Sequence, residues 1–86
     1  MGRGLGEVQR SILAALREDA ASEPVWPGLR PEQLARALYG RRPTPAQLES
    51  MRRAIRTLKA RELVQYQRTL GRGHRVLLAE QRDRAA

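Results

Sequence analysis

Residues 44–64 read Thr44-Pro45-Ala46-Gln47-Leu48-Glu49-Ser50-Met51-Arg52-Arg53-Ala54-Ile55-Arg56-Thr57-Leu58-Lys59-Ala60-Arg61-Glu62-Leu63-Val64, and this stretch decides the fold. Its first four residues are a helix start. Thr44 can cap, Pro45 suits the first helical position, and Gln47 stands where it completes a capping box with Thr44. Leu48, Met51, Ile55 and Leu58 then recur at three- and four-residue spacing, the seam of an amphipathic helix over about 45–61. Ala54 and Ala60 are small enough to let neighbours approach. With the seam inward, helical geometry turns Ala46, Glu49, Ser50, Arg53 and Thr57 outward, flanked by Arg52 and Arg56.

Beyond this helix the period changes. Leu63 to Arg68 reads as a strand, Leu70-Gly71-Arg72-Gly73 as a turn with two glycines to supply positive φ, and His74 to Ala79 as the returning strand. A hairpin alone is marginal in water, so this one must pack on helices, with Leu63, Val64, Val76 and Leu78 as the contact. Upstream, Arg41-Arg42-Pro43 is a turn, and residues 31–39 form a helix with Pro31 first, Leu34, Ala35 and Leu38 inward, and Gly40 at the C-cap. Residues 22–30 hold two prolines, which forbid a central strand but allow a short extended piece near Gly28–Arg30. A first helix spans about 5–20, where Leu5, Val8, Ile12, Leu13 and Leu16 make one apolar stripe; Ser22-Glu23-Pro24 ends it. The tail, 80–86, is polar and expected to fray.

The expected architecture is therefore α+β and mostly α: a single domain over 1–86 with three helices and a C-terminal two-stranded hairpin at about 63–79. The sequence has no cysteine, which removes disulfides and thiolate metal sites. No apolar run approaches the roughly 18–20 residues that span a bilayer, and Met1 to Gly6 lacks the apolar core of a signal peptide. A cytoplasmic protein is expected. The formal net charge is +8, and all of it falls in residues 40–86, because the acidic and basic groups of residues 1–39 cancel. Such asymmetry attracts a polyanion. A basic surface in a chain with sixteen arginines and one lysine gives the same total without any such partner.

The residues of 44–64, together with Pro31-Glu32-Gln33-Leu34-Ala35-Arg36-Ala37-Leu38 before them, resemble the winged helix-turn-helix family of DNA-binding domains, in particular small bacterial regulators of the MarR and PadR kind. The resemblance covers roughly residues 5–79. It implies that 31–39 is the positioning helix, that 45–61 is the recognition helix, and that the hairpin is the wing. Where the family commonly has glycine before Leu-Val, this chain has Glu62, so a left-handed residue at the helix end is either absent or held under strain.

The implied function is double-stranded DNA binding by a transcriptional regulator associated with the nucleoid. A helix fits the major groove, where base edges differ in donors and acceptors. Arg53 is the candidate for a bidentate contact to guanine. Gln47 and Ser50 can reach bases or phosphate, and Arg52, Arg56 and Thr57 border the same face. Glu49 is repelled by phosphate unless it accepts from a cytosine amino group. Arg68, Arg72, His74 and Arg75 surround the wing loop, with Arg72 aimed at phosphate or the minor groove. Arg41 and Arg42 are candidate phosphate clamps. One such domain covers little DNA, so a homodimer through the first helix, around Leu5, or tandem sites are expected.

Other chemistry finds little support. Ser11, Ser22 and Ser50 have no evident histidine–carboxylate partners, and Gly71-Arg72-Gly73 lies in a hairpin tip rather than before a helix; no enzyme, cofactor or metal is expected. His74 is the sole histidine, so a zinc site is not expected. Low aromatic content argues against single-strand binding, which relies on base stacking. Trp26 is read as a lid on the core, with an exposed partner anchor as its alternative. Tyr39 is read as packing at a helix end. If Val25, Trp26 and Leu29 are exposed together, the competing reading is a protein–protein interaction module in a larger assembly.

Overall fold

The structure, a computed structural model, describes residues 6–68 and 73–81. Three helices, α1 (Glu7–Ala21), α2 (Pro31–Tyr39) and α3 (Pro45–Ala60), precede two strands, β1 (Val64–Arg68) and β2 (His74–Leu78). Residues 79–81 are helical, where the sequence reads Ala79 as the end of the strand and Glu80 onward as a frayed tail. The fold is α+β and mostly helical, with a two-stranded antiparallel hairpin.

The helix starts follow from local chemistry. Thr44 Oγ1 accepts from the Gln47 backbone N–H at 3.1 Å, and Gln47 Oε1 accepts from the Thr44 N–H at 2.9 Å. This is the capping box read from the sequence, and such a cap contributes about 1 kcal/mol. Glutamine three residues in serves the other starts too. Gln9 accepts from the Gly6 N–H, Gln33 from the Arg30 N–H and Gln81 from the Leu78 N–H. Neither Gly6 nor Arg30 has a side-chain acceptor to return the bond.

The helix ends are less ordinary. At the end of α3 the Leu63 N–H donates to the Leu58 carbonyl and the Glu62 N–H to the Lys59 carbonyl, the paired bonds of a Schellman motif. Its left-handed residue is Glu62, with φ 63°. The left-handed position is thus present and held by a residue that adopts it at a cost. Glu23, φ 52°, closes α1 in the same way, donating to the Ala20 carbonyl. Pro24 has no N–H, so the second bond of the motif is not made there. Gly40 ends α2 with φ 88° and ψ −161°, a positive-φ extended conformation rather than the left-handed helical one expected of a C-cap.

The helices enclose the core with one face of the sheet. Ile12, Leu13 and Leu16 of α1, Leu34 and Ala35 of α2, and Met51, Ala54, Ile55 and Leu58 of α3 are buried with Val64, Val76 and Leu78. Val8, Leu38, Leu48, Tyr39 and Tyr66 pack half-buried at the margin. Burying one Leu-sized side chain contributes about 1.5–3 kcal/mol, so packing outweighs the caps. Two contacts expected from sequence do not form. Leu63 is 38 % exposed, because Val64 faces inward and neighbours on an extended chain face opposite ways. Ala60 is exposed on the last turn of α3.

The register pairs Val64 with Leu78, Tyr66 with Val76 and Arg68 with His74 on the inner face; Gln65 with Leu77 and Gln67 with Arg75 share the outer face. Val76 directs both its N–H and its carbonyl at Leu29, at 2.8 and 2.9 Å. The extended piece expected near 28–30 is therefore a single bridge on the free edge of β2, and β2 lies between Leu29 and β1.

Residues 22–30 cover the outer face near that bridge. Gly28 donates its N–H to Asp19 Oδ2 at 3.2 Å, and its carbonyl accepts from Arg75 Nη1 at 3.0 Å. Leu77, fully buried yet on the outer face, lies against Gly28. The same pinning leaves Val25 87 % and Trp26 67 % exposed. Trp26 is not a lid on the core.

Candidate nucleic-acid interface

The outward face of α3 is opposite the side that buries Met51, Ala54, Ile55 and Leu58. Glu49, Ser50, Arg52, Arg53, Arg56 and Thr57 are all exposed on it. Glu49 stands at the N-terminal end of this stripe. Its carboxylate lies 3.9 Å from Arg52 Nη1, 3.8 Å from Arg53 Nη2 and 3.8 Å from Arg56 Nη2. The offsets are three, four and seven residues, which one helical stripe brings together. Three guanidinium groups converge on one carboxylate, and the cluster keeps a net positive charge.

Shallow grooves flank this stripe. One, of about 250 Å³, lies between α3 and the hairpin, with Met51, Ile55 and Val76 at its base and Arg52, Arg56, Tyr66 and His74 around it. The other, of about 290 Å³, lies between α3 and the start of α1 and is lined by Ser50, Arg53 and Thr57 on the α3 side. Arg52 and Arg56 therefore face the hairpin, and Arg53 faces α1.

One contact ties the hairpin to the end of α3, and a ring contact joins the two strands of the hairpin. Lys59 Nζ stands 4.3 Å from the centroid of the Tyr66 ring, a cation–π distance. The Tyr66 and His74 rings are 4.7 Å apart. Sequence reasoning passed over Lys59 and Tyr66. Their spacing carries no signal, because their approach depends on the angle at which β1 leaves α3.

The remaining candidates divide. Arg41 and Arg42 are exposed in the turn before α3, and Arg68 is exposed at the end of β1. His74 is half-buried beside the α3 groove. Gln47 is half-buried, and its side-chain oxygen is committed to the cap. Thr57 donates its hydroxyl to the Arg53 carbonyl at 3.2 Å, within its own helix. Arg75 is on the outer face of the sheet, its guanidinium donating to Gly28, away from the α3 stripe. Arg72 and Leu5 lie outside the described residues.

Among the described residues there is no group of three or more His, Cys, Asp or Glu side chains placed to hold a metal, and no helix long and apolar enough to cross a membrane. Comparison of the chain with protein-family models, with curated proteins and with solved structures finds no match in any of the three.

Proposed function

We propose that the chain is a winged helix-turn-helix domain that binds double-stranded DNA as a transcriptional regulator in the cytoplasm and carries out no catalysis. In this reading α3 enters the major groove, and the hairpin is the wing, touching phosphate or the minor groove. The element order supports it: helix, single extended bridge, helix, helix, hairpin. The observation that carries it is the stripe of Arg52, Arg53 and Arg56 on the one face of α3 that the core leaves open. Arg41 and Arg42 in the turn before α3 and Arg68 at the end of β1 are exposed as well and available to phosphate. Two copies on neighbouring half-sites, joined through the start of the first helix around Leu5, complete the proposal; a monomeric mass at micromolar concentration would remove that part of it.

Titration of random-sequence duplex and of a selected pool across a salt series tests the reading, with Arg53→Ala alongside. Each phosphate neutralised contributes about 0.9 to the slope of log K against log salt, so a slope of about −4 or steeper is expected. The variant should lose selectivity at one base pair. Absence of duplex binding at low salt would sink the reading.

The exposure of Val25 and Trp26 favours a second reading, a protein–protein interaction module. Leu29 does not join that patch, because it is half-buried against β2. Should the chain bind no duplex, Trp26 is where a partner search begins.

A further inference from the structure

Glu49 is the one acidic residue on the outward stripe of α3, where phosphate would repel it. Its three arginine neighbours stand at 3.8–3.9 Å, ion pairs rather than hydrogen bonds. All four side chains are at least half exposed, so water and salt weaken each pair and none is locked. The carboxylate still lowers the charge of the stripe and draws the guanidinium groups towards itself. It thereby opposes indiscriminate contact with a polyanion.

Resting on the duplex-DNA reading above, we propose that Glu49 is the specificity-determining residue of α3 and selects a cytosine. In the major groove cytosine offers an amino donor at N4, which a carboxylate accepts. Adenine also offers an amino group, but beside its N7 lone pair, which repels a carboxylate. Guanine and thymine present acceptors at the equivalent atoms. Where Glu49 meets cytosine N4, the carboxylate accepts a hydrogen bond from the base and the three guanidinium groups, held only by exposed, solvent-weakened pairs, turn to the DNA. Arg53, one turn further along, is then free for guanine O6 and N7, and Arg52 and Arg56 for phosphates on the hairpin side. Elsewhere the carboxylate stays with the arginines and binding is weak. The target class is duplex with a cytosine and a nearby guanine under the N-terminal half of α3.

The test uses the full chain as wild type, Glu49→Ala and Glu49→Gln, each bound to random duplex and put through selection from a random pool. Alanine removes both charge and acceptor; glutamine removes the charge and keeps an amide that suits adenine N6 and N7. Glu49 lies outside the core, and an unfolding curve confirms that each variant folds. Both variants should bind random duplex roughly three- to tenfold tighter at about 100 mM salt, with a salt slope steeper by about one. The alanine variant should lose base preference at one position, and the glutamine variant should shift that position from cytosine to adenine. Unchanged selection in both variants would overturn the proposal, as would random-duplex affinity that stays level or falls. If wild type itself binds no duplex at low salt, the DNA reading has failed; that result comes from wild type alone and is distinct from either outcome at Glu49.

Discussion

The carbonyl oxygen of Val76 lies 2.6 Å from where a Cβ on Gly28 would stand, and the Cβ of Leu77 lies 2.9 Å from it. Neither neighbour can move freely. Val76 is held by two hydrogen bonds to Leu29, and Leu77 is fully buried. Gly28 also has φ 88°, where a side chain is strained. Gly28→Ala should therefore destabilise by about 2–4 kcal/mol, combining left-handed strain with overpacking. Denaturant unfolding measures it. A loss below about 0.5 kcal/mol, the range of ordinary surface substitutions, would show that residues 22–30 do not clamp onto β2.

Arg75 holds the same glycine from the other side, through the Gly28 carbonyl. Its sequence position beside His74 suggested a wing contact to DNA, but alternation along β2 sends it to the outer face. Hydrogen bonds from charged donors contribute roughly 1.5–3 kcal/mol, and partial exposure places this one toward the lower end. Arg75→Ala should cost about 1–1.5 kcal/mol of stability and leave any selected DNA sequence unchanged. Arg68→Ala should do the reverse: little change in the unfolding midpoint and weaker duplex binding. If Arg75→Ala leaves the midpoint where it was, the guanidinium is not part of the clamp.

Interactions confined to a few neighbouring residues were legible in the chain. The Thr44–Gln47 box spans four residues and forms as read, and the seam of α3 follows from helical period alone. The Glu49 cluster is also written at helical spacings, but its meaning depends on which residues the core leaves outside. What was not legible depends on chain segments far apart in sequence. Leu77 reads as a solvent-side residue, opposite in phase to Val76 and Leu78, until Gly28 covers it. Trp26 reads as a lid on the core, with an exposed position as its alternative, and it is exposed beside the bonds at Gly28. Lys59 and Tyr66 meet across the angle between α3 and β1, which no local pattern sets.

Tyr39, at the end of α2, places its hydroxyl oxygen where water does not reach, and that oxygen has no hydrogen-bond partner among the described residues. Its ring packs half-buried against the core. An unmet buried polar group costs about 1–3 kcal/mol. Tyr39→Phe keeps the ring and removes the hydroxyl, so stability should hold or rise, by up to about 1 kcal/mol. Tyr39→Ala should lose about 2–3 kcal/mol with the ring contacts. Thermal unfolding of the pair separates hydroxyl from ring. A phenylalanine variant less stable by 1 kcal/mol or more would mean that the hydroxyl has a partner after all.

Glu62 occupies the left-handed position of a Schellman motif that is otherwise complete, with Leu63 bonded to Leu58 and Glu62 to Lys59. A side chain in that conformation costs roughly 1–2 kcal/mol relative to the right-handed one. Glycine escapes the cost but gives back part of the gain, because its unfolded chain is freer by about 0.4–1 kcal/mol. The balance favours glycine, so Glu62→Gly should stabilise the chain by about 0.5–1 kcal/mol and raise the melting temperature by roughly 3–5 °C. Glu62→Ala, which keeps the Cβ, should give no such gain. A difference between the two variants isolates backbone conformation from charge, since both remove the carboxylate. Equal gains would instead assign the effect to relief of a surface charge, and the φ of 63° would then carry no measurable strain.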